Sequence, residues 1–472
     1  MMNFKTSTMN FKTFGSFAVS LLLSGCAVGP DYLRPASNLP ATYEAPATNE
    51  TAAEVNAEWW KLFHDPVLDG IVATALTNNS DLQLAVARVE EADALMRQAD
   101  ASLLPELDVV GSDTRNRLST TTALPASAPL VRESMKMTVG TTFELDFWGR
   151  LRRGRESTRA DDLASRYGRD TVRLTIAGLV SQAYIALRAL DAQVAASRST
   201  LDSRDNAYGI AKARFEAGLA SELDLRQAES AQATAKSQTA DLVQSRALAE
   251  HQLALLTGDM ALKVPSGELD KLPLPPVPPA GLPSSLLETR PDVRQAEERL
   301  AAANARIGVA KAAMFPTLSL TAALGGESAQ LAGLFGGASR IWTAGFGLML
   351  PIFTAGRLEG QVDQATAQQK QALASYQKAV QSAFKDVKDA LVTLRQTAEK
   401  DEALGAQVQA AKKALSLAHA RYDSGYSPFL EVLDAQRTAN DATQNALKNR
   451  QARLSAAVDL FRALGGGWKD KP

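Results

Sequence analysis

The residues most suited to chemistry are two carboxylates near the C-terminal end of the sequence, Glu431 and Asp434. They stand three positions apart in a segment rich in helix formers, so they share one face of a helix. If several copies of the chain meet around a narrow opening, these side chains form an acidic ring that favours cations and pairs with Arg421 or Arg437. The simpler interpretation is that acidic residues in the first turns of a helix complement its dipole.

Residues for catalysis or for holding a metal ion are scarce. The chain has one cysteine and three histidines, and the histidines are far apart in sequence. A zinc site needs more ligands than this within reach, and one cysteine cannot form a disulfide within the chain. The sequence also contains no nucleophile elbow and no phosphate-binding loop. It therefore predicts no enzyme, no cofactor and no metal centre.

The single cysteine, Cys26, follows a targeting signal. Basic residues and an apolar stretch at 14–23 precede Leu-Ser-Gly-Cys, which predicts a secretory signal peptide over 1–25. The Leu-Ser-Gly-Cys order matches the bacterial lipobox, so Cys26 is expected to become an acylated N-terminus that anchors the chain to a membrane. Ala27 in the second position favours the outer membrane. The alternative is an ordinary signal peptide with a bystander cysteine.

Long helical hairpins would position the carboxylates. No proline occurs between Pro351 and Pro428, and strong helix formers dominate this segment. One helix over 357–423 would be roughly 100 Å long. Gly425 suits the left-handed residue that ends it. Ser427 and Pro428 then supply an N-cap and a first-turn proline for the returning helix.

The same hairpin occurs earlier, because the chain is a tandem duplication. Three pairs of segments align: 81–107 with 292–318, 149–151 with 356–358, and 213–218 with 420–425. The first pair has an offset of 211 (292 − 81), and the other two share an offset of 207 (356 − 149 = 425 − 218). In the first copy Gly218 is the helix breaker, and Ser221 with Asp224 forms a capping box.

In each copy, two short segments break the helical pattern. The clearest has apolar residues at every second position from Met135 to Phe147, with polar residues between them. This period of two is typical of a strand with one apolar face. A half-buried soluble sheet gives the same alternation. The four predicted strands are about 106–116, 135–148, 317–325 and 340–352.

Two features favour a sheet in a membrane. Trp148, followed by Arg150 and further arginines, is typical of an aromatic residue at the membrane interface with basic groups just outside the hydrocarbon. Ser/Thr/Pro-rich 119–129 and Gly-rich 325–337 stand where exposed loops are needed. Four strands cannot close a barrel, since the smallest membrane barrels have about eight. The strand count therefore predicts an oligomer: two chains give eight strands, and three give twelve with room for a lumen.

Composition agrees with long, closely packed helices. Aromatic residues make up only 6% of the chain, whereas alanine and glutamine are frequent in the helical segments. The formal net charge is −1, so the chain carries no global basic field for nucleic acid.

Several motifs, taken together and in order, are specific. They are Cys26–Tyr32 with Arg34-Pro35, Trp59–Pro66, Asn79–Leu82, Ala87–Glu90, Thr289–Val293, Ala312–Pro316, Ala420–Tyr422 with Gly425, and Leu433–Gln436. Over essentially the whole mature chain, this set resembles the lipoprotein branch of the TolC-like outer-membrane efflux proteins. These are the outer-membrane factors of tripartite resistance-nodulation-division pumps.

The resemblance implies an α-helical fold joined to a membrane β-barrel. Three chains would form a twelve-stranded β-barrel in the outer membrane and a twelve-helix α-barrel in the periplasm, with an equatorial belt around it. Such a homotrimer is a passive exit duct for drugs or other small toxic compounds. An inner-membrane pump of the resistance-nodulation-division type supplies the energy, and a periplasmic adaptor protein docks to the tip of the duct.

The resulting division of the chain has six parts. They are the signal peptide (1–25), a lipidated N-terminal segment (26–65), the first repeat (66–264), a Pro-rich linker (265–288), the second repeat (289–464) and a C-terminal tail (465–472).

The resemblance also assigns roles to residues. The family's gating tyrosine falls on Tyr422, and its two acidic lumen residues fall on Glu431 and Asp434, with Arg421 as an ion-pair partner. The family more often has aspartate at the first acidic position, so Glu431 is a departure. The hairpin turns form the periplasmic mouth, where the adaptor is expected to dock at Gly218, Ser221, Asp224, Gly425 and Ser427.

Two other classes of protein share part of the pattern. A periplasmic adaptor also has a lipobox and a helical hairpin, but it carries a single hairpin between β-rich modules. A coiled-coil structural lipoprotein without a pore would not need the alternation from Met135 to Phe147.

Overall fold

The computed structural model describes residues 27–36, 40, 57–121, 129–276 and 290–467. The predicted signal peptide, Cys26 and half of the Pro-rich linker (277–288) lie outside these residues. The chain forms two compact units. Among the described residues, the strand unit comprises 27–35, 90–121, 129–164 and 296–375, and the hairpin unit comprises 36, 40, 57–89, 165–276, 290–295 and 376–467.

The described residues form seven α-helices and four strands. The helices are α1 (Pro66–Asn78), α2 (Ser80–Ala101), α3 (Arg150–Glu216), α4 (Glu222–Thr257), α5 (Pro291–Ala312), α6 (Arg357–Asp423) and α7 (Phe429–Ala463). The strands are β1 (Glu106–Arg117), β2 (Val131–Leu145), β3 (Thr317–Ser328) and β4 (Arg340–Met349). Helices α3 and α6 each contain 67 residues. Their starts are 207 positions apart (357 − 150), which confirms the duplication.

In the strand unit, the four strands form one antiparallel sheet in the order β1-β2-β3-β4. Val139 pairs with Leu324, which pairs in turn with Trp342, so these apolar side chains share one face. The opposite face carries small and polar residues such as Thr138 and Gly140. Trp342 is 76% exposed in the single chain. The apolar face is therefore uncovered, and the alternation predicted for β2 is confirmed.

The strand ends differ from the prediction. Strand β2 begins at Val131 and ends at Leu145, so Trp148 lies in the turn that follows it. The early start has a physical reason: Val131–Ser134 pair with Thr114–Arg117 of β1, and this pairing holds residues that have no apolar alternation. None of the helices in the described ranges is both long and apolar enough to cross a membrane.

The first described residues lie along the start of α3 and the C-terminal part of α5 in the strand unit. The Val28 amide donates to the Trp148 carbonyl over 3.0 Å, and Arg153 binds Asp31 at 2.6 Å. Gly29 has φ +108°, and a Cβ there would lie 2.5 Å from the Gly308 Cα. Only glycine permits this approach, so the segment is fixed to one place on the unit.

In the hairpin unit, the main core forms where α1, α3, α4 and α7 meet. Trp59 is fully buried and stacks on Phe461 with 5.6 Å between ring centroids. The buried Tyr184 hydroxyl donates to Asp65 at 2.6 Å, and the Nε of Arg188 donates to the same hydroxyl at 2.9 Å. The two repeats therefore share one core in this unit, in which the buried hydroxyl of Tyr184 and the guanidinium of Arg188 are paired.

Both long helices end as predicted. Gly218 and Gly425 are left-handed, with φ of 72° and 79°. The amide of Leu219 donates to the Arg214 carbonyl, and the Gly218 amide donates to the Phe215 carbonyl. Tyr426 and Gly425 form the equivalent pair of bonds in the second repeat. Each helix thus ends in a Schellman motif.

The N-cap predicted for the second hairpin is wrong. Helix α7 begins at Phe429, its N-cap is Pro428, and no side chain caps it. Pro428 adopts φ −70° and ψ 157°, an extended conformation that suits a cap and that proline readily adopts. Ser427 therefore lies one residue before the N-cap position. Its buried Oγ has no hydrogen-bond partner among the described residues.

Candidate functional site

The second turn is held by a contact between the two hairpins. The centroids of the Tyr422 and Phe429 rings are 5.2 Å apart. The Arg214 guanidinium lies over the Tyr422 ring, 4.9 Å from its centroid. A cation over an aromatic face is attracted by the ring quadrupole. We call Arg214, Tyr422 and Phe429 the turn cluster. It joins the end of α3 to the end of α6.

Small residues bring the helices together beneath the turn cluster. Ala211 and Ala228 of the first hairpin pack with Ala418 and Val432 of the second, around Phe429. Alanine side chains allow helix axes to approach closely, so Arg214 reaches across to Tyr422. A larger residue at any of these positions would separate the two hairpin ends.

Both predicted carboxylates are paired. The Arg421 Nε lies 3.4 Å from Glu431, which links α6 to α7. Arg437 binds Asp434 at 2.5 Å within α7. All four side chains are largely exposed to solvent, where such ion pairs contribute little to stability and are screened by salt. In a single chain the carboxylates are therefore neutralised, and an acidic ring requires further copies.

The first turn is closed by its own helix. Ser221 Oγ accepts from the Asp224 amide at 3.2 Å, and Asp224 Oδ2 accepts from the Ser221 amide at 3.3 Å. The predicted capping box is thus confirmed. Arg226 lies between Glu222 and Glu229 and pairs with both. Every one of these contacts lies within the first turns of α4.

Exposed apolar side chains surround both turns. Leu219 and Leu223 of the first turn, and Tyr426 and Leu430 of the second, are each more than half exposed. Isolated apolar residues on a surface need no explanation, but a group at the end of paired helices is a suitable contact surface for another helix.

The predicted interface residues lie together in the strand unit. The Trp148 indole donates to the Pro316 carbonyl at 2.8 Å and stacks on Phe315 with 4.7 Å between ring centroids. Arg150 donates two bonds to Glu144, at 2.9 and 2.6 Å. A fixed tryptophan next to a paired arginine fits the boundary between an apolar sheet face and water.

A polar clamp that the sequence did not indicate lies at the base of the first hairpin. Arg246 of α4 binds Asp191 of α3 at 2.9 Å, and the Val264 amide donates to the buried Glu250 at 2.9 Å. This amide bond, opposed by burial and supported by Arg246, lowers the pKa of Glu250. Asp191 also accepts from the Gly267 amide at 3.1 Å. The clamp fixes the start of the linker to both helices.

The turn cluster was also missed, although one signal was available. Arg214 aligns with Arg421 at the offset of 207, so an arginine was expected at the end of each long helix. The sequence offered Arg421 or Arg437 as a partner for the two carboxylates but gave Arg214 no partner. Its partner, Tyr422, lies 208 positions away (422 − 214) and is found only from the packing of the hairpins. No group of three or more His, Cys, Asp or Glu side chains in the described ranges is placed to hold a metal ion.

Comparisons with known proteins extend over almost the whole chain. Residues 71–259 and 282–466 match the family described as outer membrane efflux protein. The toluene efflux pump outer membrane protein TtgF of Pseudomonas putida is 38% identical over 464 residues, which are 96% of each chain. The pyoverdine export outer membrane protein OpmQ of Pseudomonas aeruginosa is 34% identical, with 98% of each chain covered.

Solved structures of outer membrane channels have a similar fold. The CmeC outer membrane channel of Campylobacter jejuni superposes with a TM-score of 0.90 at 27% identity, covering 95% of this chain and 96% of that one. The MtrE outer membrane channel of Neisseria gonorrhoeae, in its open state, gives 0.82 at 32% identity, covering 94% and 98%. Together with the duplicated hairpins and the four-stranded sheet, these matches show that the chain belongs to the outer membrane efflux protein family.

Proposed function

We propose that the chain is the outer-membrane duct of a tripartite efflux pump, through which small toxic compounds leave the cell without chemical change. The observation that carries the proposal is the uncovered apolar face of the sheet. The sheet of four strands has two open edges and an apolar face that no other described residues cover. Three copies that pair edge to edge would complete a barrel of twelve strands, with the apolar faces towards lipid and the polar faces towards a lumen.

The partners follow from the family. Outer membrane efflux proteins work with a periplasmic adaptor and an inner-membrane pump, and the pump provides the energy. The adaptor would dock at the turns, through Gly218, Ser221 and Asp224 of the first hairpin and Gly425 and Ser427 of the second. The exposed leucines beside these turns support helix-to-helix docking.

The mouth of the duct would be held closed at the second turn. In this proposal Tyr422 is the residue that moves, Arg421 with Glu431 restrains it, and Asp434 adds charge to the opening. The turn cluster supports this role, because it is the contact that keeps the end of α6 against the first hairpin. Opening would separate Arg214 from Tyr422.

Cys26 would carry the lipid anchor. It lies outside the described residues, but its neighbour Ala27 lies against Gly149, where a Cβ would stand 2.9 Å from the Ala27 Cα. Trp148 and Arg150, on either side of Gly149, are the predicted interface residues. Acyl chains at Cys26 would therefore enter the lipid next to the sheet. The residues 28–60, the Pro-rich stretch 271–283 and the tail 465–472 would form the belt.

The relatives indicate the kind of cargo. Their names specify toluene, solvents, antibiotics and pyoverdine, and these compounds have little in common chemically. A shared exit duct needs no specific binding pocket. We therefore propose a broad range of small organic compounds, selected by the inner-membrane pump.

The test is drug accumulation in cells that lack the gene, with complementation by the wild-type chain. We expect accumulation of several unrelated compounds to rise in the deletion strain and to return to normal on complementation. The purified protein should be a trimer that conducts ions in planar bilayers. A monomeric, non-conducting protein and unchanged accumulation would contradict the proposal.

A further inference from the structure

One arginine of the hairpin unit is buried without a partner. Arg204 of α3 is 8% exposed, and its enclosed Nη1 has no hydrogen-bond partner among the described residues. Burial lowers the pKa of Arg204, but a guanidinium stays protonated in proteins. A buried charge that no other group balances is costly, so Arg204 is suited to an anion from outside the hairpin unit.

The duplication shows that packing does not require this arginine. The offset of 207 places Ala411 of α6 at the equivalent position (204 + 207). Ala411 is 6% exposed and packs with Ala439 and Ala442 of α7. A methyl group is therefore sufficient at this place on a long helix, and the charge in the first repeat has another cause.

Arg204 lines a cavity of about 280 Å³ whose walls come from α3, α4 and α7. Hydrogen bonds place α3 between the other two helices. Gln436 of α7 donates to Ser203 of α3 at 2.6 Å, and the hydroxyls of Ser197 in α3 and Thr239 in α4 are 2.8 Å apart. The cavity therefore lies over α3, the inner helix of the three.

In the proposed duct, this cavity would face the lumen. Asp434 on its wall is one of the two carboxylates that we place at the opening. Arg437 on the same wall already pairs with Asp434. A compound that passes along the duct would therefore reach Arg204 without displacing an existing ion pair.

A second charge on the cavity wall is also unpaired. Asp441 of α7 is exposed, and its side chain forms no ion pair or hydrogen bond with the described residues. Thr200 of α3 donates to Asn440 of α7 at 3.3 Å, which fixes the relative level of the two helices. Arg204 lies one turn beyond Thr200 towards the hairpin turns, and Asp441 lies one residue beyond Asn440 in the opposite direction. The two charges are therefore roughly 8 Å apart along the helix axes.

We propose that this cavity binds a zwitterionic small molecule from the duct, with its carboxylate on Arg204 and its ammonium group on Asp441. The inference rests on the proposed function, since it names a class of compound that the duct would bind. A planar guanidinium matches a carboxylate with two parallel hydrogen bonds. Leu430 and Leu433 give the same cavity an apolar wall for the carbon skeleton of the ligand.

Both charges are needed for this selectivity. A simple anion on Arg204 leaves the carboxylate of Asp441 unbalanced, and a simple cation on Asp441 leaves Arg204 buried without a partner. A zwitterion whose charges are several bonds apart balances both at once. The site would favour zwitterions among the compounds that pass, and it would not exclude the others.

The first test measures binding of three probes to the purified trimer by ligand-observed NMR. The probes are ε-aminocaproate, caproate and hexylammonium, which share one carbon chain and carry both charges, the carboxylate alone and the ammonium alone. We expect ε-aminocaproate to bind at least about fivefold more tightly than either of the others. Arg204→Met should weaken its binding at least about tenfold, and Asp441→Asn about threefold, because exposed pairs are weaker.

The matched control is Arg395→Met, which removes an exposed arginine of α6 and should leave binding unchanged. Methionine at position 204 fills the space and removes the buried charge, so we expect Arg204→Met to raise the unfolding temperature. Equal binding of the three probes, or equal binding of ε-aminocaproate to wild type and Arg204→Met, would overturn the inference. A lower unfolding temperature of Arg204→Met would also overturn it, since a group of the protein would then balance the charge.

The second test keeps the charge and changes its shape. Arg204→Lys retains a cation at the cavity but cannot form two parallel hydrogen bonds with a carboxylate. It should bind ε-aminocaproate less tightly than wild type does, and it should still prefer this probe over caproate and hexylammonium. Loss of that preference in Arg204→Lys would overturn the inference.

The two proposals fail in different ways. Arg204→Met should still form trimers that conduct ions in planar bilayers. If the wild-type protein forms no conducting trimer, the duct function is wrong. If the wild type conducts but shows no preference for the zwitterion, only the site at Arg204 is wrong.

Discussion

The two hairpins have long helices of equal length, but different contacts stabilise their turns and their bases. At the turns, each long helix ends in the same Schellman motif, but the first hairpin continues into a complete capping box at Ser221. The second continues into Pro428, which has no side-chain cap. At the bases, the first hairpin buries Glu250 in the polar clamp, whereas the equivalent residue of the second, Ala457 (250 + 207), lies in an apolar core.

The first turn is thus stabilised by a cap of its own, whereas the second turn relies on a contact with the first hairpin. At the first turn, the capping box and the ion pairs of Arg226 lie within the turn and α4, so these contacts can persist while the neighbouring hairpin moves. The second turn depends on Arg214 of the first hairpin and on one exposed ion pair. A duplicated chain can therefore combine a fixed element with a releasable one.

The largest expected effect is at the base of the first hairpin. Glu250→Gln removes the charge that accepts the Val264 amide and binds Arg246, and should cost about 1–3 kcal/mol of stability at pH 7. Because the pKa of Glu250 is lowered in the folded protein, its contribution is present above the ordinary glutamate pKa and is lost as pH falls through the folded value. Chemical unfolding of wild type and variant should therefore converge in acid.

The matching change in the second hairpin is Ala457→Ser, which places a hydroxyl in the apolar core and has no polar clamp to join. Its cost should be the same at neutral and acid pH. A pH-independent difference for Glu250→Gln would show that the clamp does not depend on the carboxylate charge.

The next effect is at the caps. Ser221→Ala should destabilise the start of α4 by about 1 kcal/mol, because it leaves first-turn amides without an acceptor. Amide hydrogen exchange at 222–226 should then be about fivefold faster. Ser427→Ala removes a hydroxyl that caps nothing, so exchange at the start of α7 should be unchanged. Equal effects at both turns would remove the distinction between the hairpins.

A smaller effect is expected at the turn cluster. Arg214→Ala removes a cation–π contact worth about 0.5–1 kcal/mol at a partly exposed site, which should raise the open fraction in planar bilayers about two- to fivefold. Tyr422→Leu should do the same, whereas Tyr422→Phe keeps the ring under the guanidinium and should resemble wild type. Arg226→Ala is the control, since Arg226 pairs only within its own helix. Equal conductance for Arg214→Ala and the control would contradict a restraining role.

The smallest effect is expected at the exposed ion pair. Glu431→Gln should change the open fraction by less than about fivefold at low salt and by nothing measurable at 1 M salt, because surface pairs are weak and screened. Glu431→Asp shortens the side chain and should also loosen the contact with Arg421, although it keeps the charge. An effect that persists at high salt would indicate that Glu431 acts through packing.

The sequence predicted the elements well where a local rule applies. Gly218 and Gly425 ended the helices as expected because the left-handed conformation strongly favours glycine. The duplication predicted that α3 and α6 begin at equivalent positions of the two repeats. The alternation in β2 identified the apolar face of the sheet. The sequence left Arg421 or Arg437 as partners of the two carboxylates, and in the structure Arg421 pairs with Glu431 and Arg437 with Asp434.

The failures have local and long-range causes. Ser427 was chosen as the N-cap because serine is a good cap, although the offset of 207 points to Pro428 as the counterpart of Ser221 (428 − 207). The start of β2 was missed because Val131–Ser134 are held by β1 and not by their own pattern. The contact of Arg214 with Tyr422 and that of Arg246 with Asp191 depend on how separate helices pack, and no spacing along one helix encodes that.

The central pairing of the sheet has a consequence for every subunit. Strands β2 and β3 come from different repeats, so the seam between the two halves runs through the middle of the sheet. Because both copies of the repeat lie in one chain, this seam is present in every subunit, and each half of the subunit can carry residues that the other half lacks.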